Sequence, residues 1–241
     1  MRRRAGRPRA AASASHGLER KHPMTRQKGL TLIELMIVVA ITIPNLLSAR
    51  LNSHETSAIS TLRNLSSAEA QFQASAKADT DGDGTGEFGV FSELSGGAGV
   101  RVDDAGNRGA AIDPPVLSGA FRTTTDGTVS RSGYVFQVLL PATTGHGTTE
   151  TGSGTTFTAP LSADLAETTW CSYAWPTSHG TSGNRTFFVN QTGDITAMTF
   201  EGGPSSQGCA FQNDGGHPNS ITGKVAVGTR GRNLQMWKQV N

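Results

Sequence analysis

The chain lacks the signatures of catalysis. It has no Gly-Xaa-Ser-Xaa-Gly elbow, no Walker loop, no CxxC pair and no HExxH. His54, His146, His179 and His217 stand in polar or glycine-rich contexts without helical ligand spacing. An enzyme is not expected, and no cofactor is called for beyond the structural calcium considered below. Cysteine is nearly absent, with Cys171 and Cys209 alone in 241 residues. Long apolar runs are scarce too. The longest, Leu30 to Leu47, is 18 residues with one acid, Glu34, inside it and Pro44 near its end. As a helix it would reach roughly 27 Å against a hydrocarbon core of about 30 Å. A basic surface is missing as well, once the first residues are set aside. Of the 21 Lys/Arg and 19 Asp/Glu, residues 1–29 hold nine and one, so the remaining 212 carry twelve against eighteen, a net of −6. Nothing there invites nucleic acid.

What is present begins with the order of the N-terminal features. Residues 1–23 are Arg/Ala-rich without an apolar stretch and read as an upstream mis-assigned start. Met24 opens a short basic segment, MTRQKG, that precedes the apolar run instead of following it. An ordinary secretory signal is cut after its apolar core. A lone carboxylate in such a run is costly and calls for a partner.

These residues resemble the N-terminal segment of type IV pilins and of type II secretion pseudopilins. Gly29 matches the residue before the prepilin peptidase cut. Leu30 matches the first mature residue, which the family N-methylates and which is usually Phe there. Thr31-Leu32-Ile33-Glu34-Leu35 match the core of the motif. Pro44-Asn45-Leu46-Leu47-Ser48-Ala49-Arg50 and Ala58-Ile59-Ser60-Thr61-Leu62-Arg63 extend the likeness, which covers about Lys28 to Phe72. The chain departs in one respect: the family usually has about seven more apolar residues between the Glu and the Pro, nearly two turns at ~3.6 residues per turn, so the helical face is kept and length is lost.

The resemblance implies an α+β fold, with a long N-terminal helix packed on an antiparallel sheet. The expected organisation is a leader at 1–29, a membrane and assembly helix at 30–78 and a β-rich head at 79–241. It implies a filament subunit of a pilus or pseudopilus, held in the inner membrane before assembly and extracellular or periplasmic afterwards. Its partners would be other such subunits, prepilin peptidase and an inner-membrane assembly platform. Glu34 would pair with the freed amino group of a neighbouring subunit's Leu30, two charges that are each costly alone in a low-dielectric bundle. The alternative is a membrane-anchored binding module or enzyme that carries the motif and does not polymerise.

Further along, Leu51, Ala58, Leu62, Leu65, Phe72 and Ala76 recur on one face of a helix. Arg50, His54, Glu55, Arg63 and Glu69 are expected on the solvent face, and Pro44 is expected to kink or locally melt the helix. Asp79, Asp81 and Asp83 alternate ahead of Gly84, as in the first half of a calcium loop, with Glu87 as a fourth oxygen donor; Val90 stands where the bidentate Glu should be. Strands are expected at 134–140, 155–158, 169–175, 186–190 and 194–200, with Gln191-Thr192-Gly193 as a hairpin loop and Val225-Ala226-Val227 as one more strand. Trp170 and Trp175 should fall on opposite faces. In an exported chain Cys171 and Cys209 read as one disulfide, closing about 40 residues and worth ~4 kcal/mol by chain entropy.

Overall fold

The computed structural model describes residues 32–103, 107–152, 156–199 and 202–240. The chain divides between Ile41 and Thr42 into two units. Of the first, the described residues are the opening turns of the helix α1, Leu32–Ala74. α1 is helical without interruption through Pro44, so the expected local melting does not occur. The remainder of α1 and everything after it form the second unit.

Within that unit α1 buries Ala58, Leu62, Leu65, Ala68 and Phe72 against the sheet. The buried stripe is wider than the apolar residues alone suggest. Glu55 and Glu69 lie on it, both buried, rather than on the solvent face. The spacing explains this: 55, 58, 62, 65, 69 and 72 alternate by three and four, the seam of a straight helix on a flat partner. Arg50 and Arg63 are exposed as expected, whereas His54 is half-buried, its ring nitrogen 3.1 Å from the Ser182 carbonyl. Ala76 lies beyond the helix end, exposed, in the left-handed region at φ 46°.

After α1 come a one-turn helix α2, Phe91–Leu94, a 3₁₀ turn at Gly119–Phe121, and strands β1, Thr128–Arg131, and β2, Tyr134–Pro141. Three short strands follow, β3 at Gly147–Thr148, β4 at Glu150–Thr151 and β5 at Thr156–Phe157, then the one-turn helix α3, Ala163–Ala166. The main strands are β6, Cys171–Pro176, β7, Arg185–Asn190, and β8, Thr196–Thr199; β9, Thr229–Arg230, and β10, Met236–Gln239, finish the chain. Eight of these make one sheet in the order β1-β2-β6-β7-β8-β10-β9, with β3 pairing β2, and all its ladders are antiparallel. β4 and β5 pair apart.

Both faces of the sheet are covered, which is why its strands read as nearly unbroken apolar runs. Phe136, Val138, Ala174, Phe187 and Val189 point to α1. Leu139, Cys171, Tyr173 and Phe188 point the other way, into a second cluster closed by Phe211, Ile221, Ala226 and Trp237. Trp170 belongs to the first cluster and Trp175 packs on the second, opposite faces as alternation requires. The β7–β8 loop runs over residues 191–195, longer than the expected Gln191-Thr192-Gly193, with Gly193 at its centre at φ 77°. Val225–Val227 is not a strand. Val225 makes only an isolated bridge to Phe211, and the chain joins the sheet later through β10, where buried Trp237 alternates with exposed Met236 and Lys238.

Candidate functional site

The first candidate surface is the start of α1. Leu32, Ile33 and Met36 stand 72%, 69% and 65% exposed, followed by exposed Leu46 and Leu47. The three large apolar side chains of the first unit, standing in water, mark a surface awaiting a partner. Glu34 lies on the same helix, but its side chain, like Gly29 and Leu30 altogether, falls outside the described residues. Among the described residues no helix is long and apolar enough to cross a membrane.

The second candidate is the acidic turn after α1. Glu87 N–H donates to the Ala78 carbonyl at 2.8 Å and closes a loop over residues 79–86. Gly86 lets that loop lie against the helix end, since a Cβ there would sit 1.9 Å from the Gln73 carbonyl oxygen. Asp79 accepts from the amides of Gly82 and Gly84, Asp81 from Asp83, and Asp83 from Thr85. The turn therefore brings Asp79, Asp81 and Asp83 close enough to share an ion. Two acids from the α3 region, Asp164 and Glu167, also converge on Asp81. They are distant in sequence, and the contacts of Gln73 Nε2 with the Glu167 carbonyl and of Phe88 N–H with the Ala166 carbonyl, at 2.9 Å, bring them there. All five donate oxygen, the donor a hard cation takes. Glu167's carboxyl is pushed up by burial and then by Asp83, Asp81, Asp164 and Glu87.

Glu87 does not join this group. It is 1% exposed, and its carboxylate is taken inward by Thr80 and by Arg101, whose Nη1 lies 3.1 Å away. Arg101 also holds Glu93 through Nε at 2.9 Å, and Arg108 reaches the same Glu93 oxygen at 2.9 Å. Burial pushes two neighbouring carboxyls up: Glu69, which accepts from the Gly89 amide at 2.9 Å, and Glu150, which Ser92 contacts. One oxygen of each has no hydrogen-bond partner. This assembly ties α1, α2 and β4 together and is largely buried.

Cys171 and Cys209 are both free thiols, buried in the second cluster. Burial pushes both up, Cys209 to about 11, and the charge of Cys209 opposes ionisation of Cys171. The expected bridge is not formed in this structure, although both side chains occupy one cluster.

Residues 24–42 match the family described as the prokaryotic N-terminal methylation motif. This is the prepilin motif of type IV pilins and pseudopilins, and it spans Gly29, Leu30, Glu34 and the exposed apolar start of α1. A long N-terminal helix on an antiparallel sheet is the pilin-like architecture that the motif leads one to expect. No curated protein and no solved structure matches the chain.

Proposed function

We propose that the chain is a structural subunit of a type IV pilus or a type II secretion pseudopilus. It is cut after Gly29 by prepilin peptidase, N-methylated on Leu30, held in the inner membrane through its N-terminal helix, and polymerised through that helix by an assembly platform. The observation that carries the reading is the motif at residues 24–42 joined to a helix whose first apolar side chains stand in water. Polymerisation covers Leu32, Ile33 and Met36 with the same residues of neighbouring copies, and Glu34 finds its counter-charge in a neighbour's amino terminus.

The test is the N-terminus and intact mass of the protein from membranes and from sheared filaments. A chain starting at methylated Leu30 in the sheared fraction is expected. A start at Met1 or Met24, confined to membranes, would sink the proposal.

A further inference from the structure

Two surfaces of the head carry opposite charge and have no role in the helix-mediated assembly described above. One is a groove of about 630 Å³ where β8, β9 and β10 meet. Arg185, Arg230 and Lys238 line it, and its lining contains no carboxylate. Arg185 is engaged by Glu55, but Arg230 and Lys238 have no ion-pair partner among the described residues. The sequence favours this bias: from Gly215 to Asn241 there are four Lys/Arg and no acid.

The groove is also built to present an apolar side chain. Leu234 lines it, 60% exposed, at φ 62°. A bulky residue in that region costs on the order of 1 kcal/mol. Here the turn enforces it: Leu234 N–H donates to the Gly231 carbonyl at 2.8 Å and Gly231 N–H to the Gln235 carbonyl at 2.9 Å. Asn233 Oδ1 fixes the same turn by accepting from Gln235 N–H and Trp237 Nε1. A strained leucine held in water between cations fits an acidic surface with apolar atoms beside its carboxylates.

The other surface is the acidic turn, where Asp79, Asp81, Asp83, Asp164 and Glu167 converge. These acids crowd one another and have no cation among the described residues. The two surfaces cannot meet within one copy. The groove is tied to α1 at Glu55 through Arg185, and the acidic turn at Gln73 through Glu167. Those anchors are eighteen residues apart on one helix, about 27 Å.

We propose that the cationic groove of one copy receives the acidic turn of the next, head to tail. Two different patches on one chain make a heterologous contact, and such a contact that does not close on itself builds an open helical array. The inference rests on the filament reading and names a second contact within it, made by the head rather than by the N-terminal helix. The calcium anticipated from the sequence would compete for the same carboxylates.

The test uses the full-length chain with Asp81→Cys and Lys238→Cys, both exposed positions. Oxidised sheared filaments of the double variant should give a ladder of covalent multimers, and neither single variant should. As a second measure, Arg230→Glu with Lys238→Glu should lower sheared filament yield about tenfold at an unchanged membrane level of subunit. Adding Asp81→Lys and Asp83→Lys should restore it. Normal filaments with no ladder and no response to charge reversal overturn the contact and leave the filament reading standing. A yield that follows calcium and ignores the groove's charges also overturns it, because the turn is then a cation site only. Failure of the unaltered chain to form filaments overturns both.

Discussion

Arg185 of β7 and Glu55 of α1 lie side by side, Nε and Nη2 of the guanidinium both 2.8 Å from Oε2 of the carboxylate. The other carboxylate oxygen accepts from the Asn184 amide at 2.9 Å. One carboxylate therefore fastens the helix to the sheet at a position where the buried stripe would ordinarily carry an apolar residue.

Glu55→Ala is expected to destabilise the head by about 1–3 kcal/mol, because it strands a backbone amide and one side of a guanidinium. Arg185 is 41% exposed, so water recovers part of the loss and the lower half of that range is expected. Urea unfolding followed by tryptophan fluorescence reads the change; an unaltered midpoint would contradict a fastening role.

Glu69→Gln should raise stability at neutral and alkaline pH. Burial is the main cause of the raised Glu69 carboxyl, with Glu93 adding to it and the Gly89 amide and Arg101 opposing. The folded state favours the neutral form, whereas the unfolded chain ionises near the ordinary 4.5. The stabilisation is complete below that value and is lost as pH rises through the higher folded value. Glu150 acts in the same direction. Thermal midpoints of the wild-type chain should therefore decline as pH rises above the ordinary 4.5, and those of Glu69→Gln should decline less. A steeper decline in the variant would refute the assignment.

In the reduced protein, as in this structure, the two thiols should resist alkylation when folded and react fully in denaturant. Cys209, raised to about 11 by its burial, holds almost no thiolate at neutral pH. We also propose that the exported protein bridges Cys171 and Cys209. An intact mass lower by two hydrogens, with loss of denaturant-revealed alkylation, is the expected outcome. A full count of free thiols in material from filaments would refute the bridge.

Glu34→Ala should abolish filaments while stable subunit remains in the membrane. Filaments at wild-type yield would favour an anchored module that does not polymerise.

Much of this was legible in the residues. The order basic–Gly–apolar–acid marks the segment that matches the N-terminal methylation motif, and the stripe through Leu62, Leu65 and Phe72 marks the helix face on the sheet. Glu55 and Glu69 were assigned to solvent because they are charged, although their spacing already placed them on the stripe; the periodicity was the better guide. Glu87 could not be assigned correctly, since its partner Arg101 arrives from an irregular loop with no periodic signal. Asp164 and Glu167 reach the acidic turn for the same kind of reason, through a tertiary contact at Gln73. The last strand was misplaced because Val225–Val227 is the more apolar segment, whereas β10 is identified by the alternation around Trp237.

The second apolar cluster has a consequence for synthesis. One of its walls is Trp237 of β10, packed near Tyr173 and Phe188. An incomplete chain that stops before Trp237 leaves those rings without their cover, however well α1 and the middle strands have formed. The packing of Trp237 thus hides an aromatic cluster that a chain cut short before it displays as an apolar surface open to proteases.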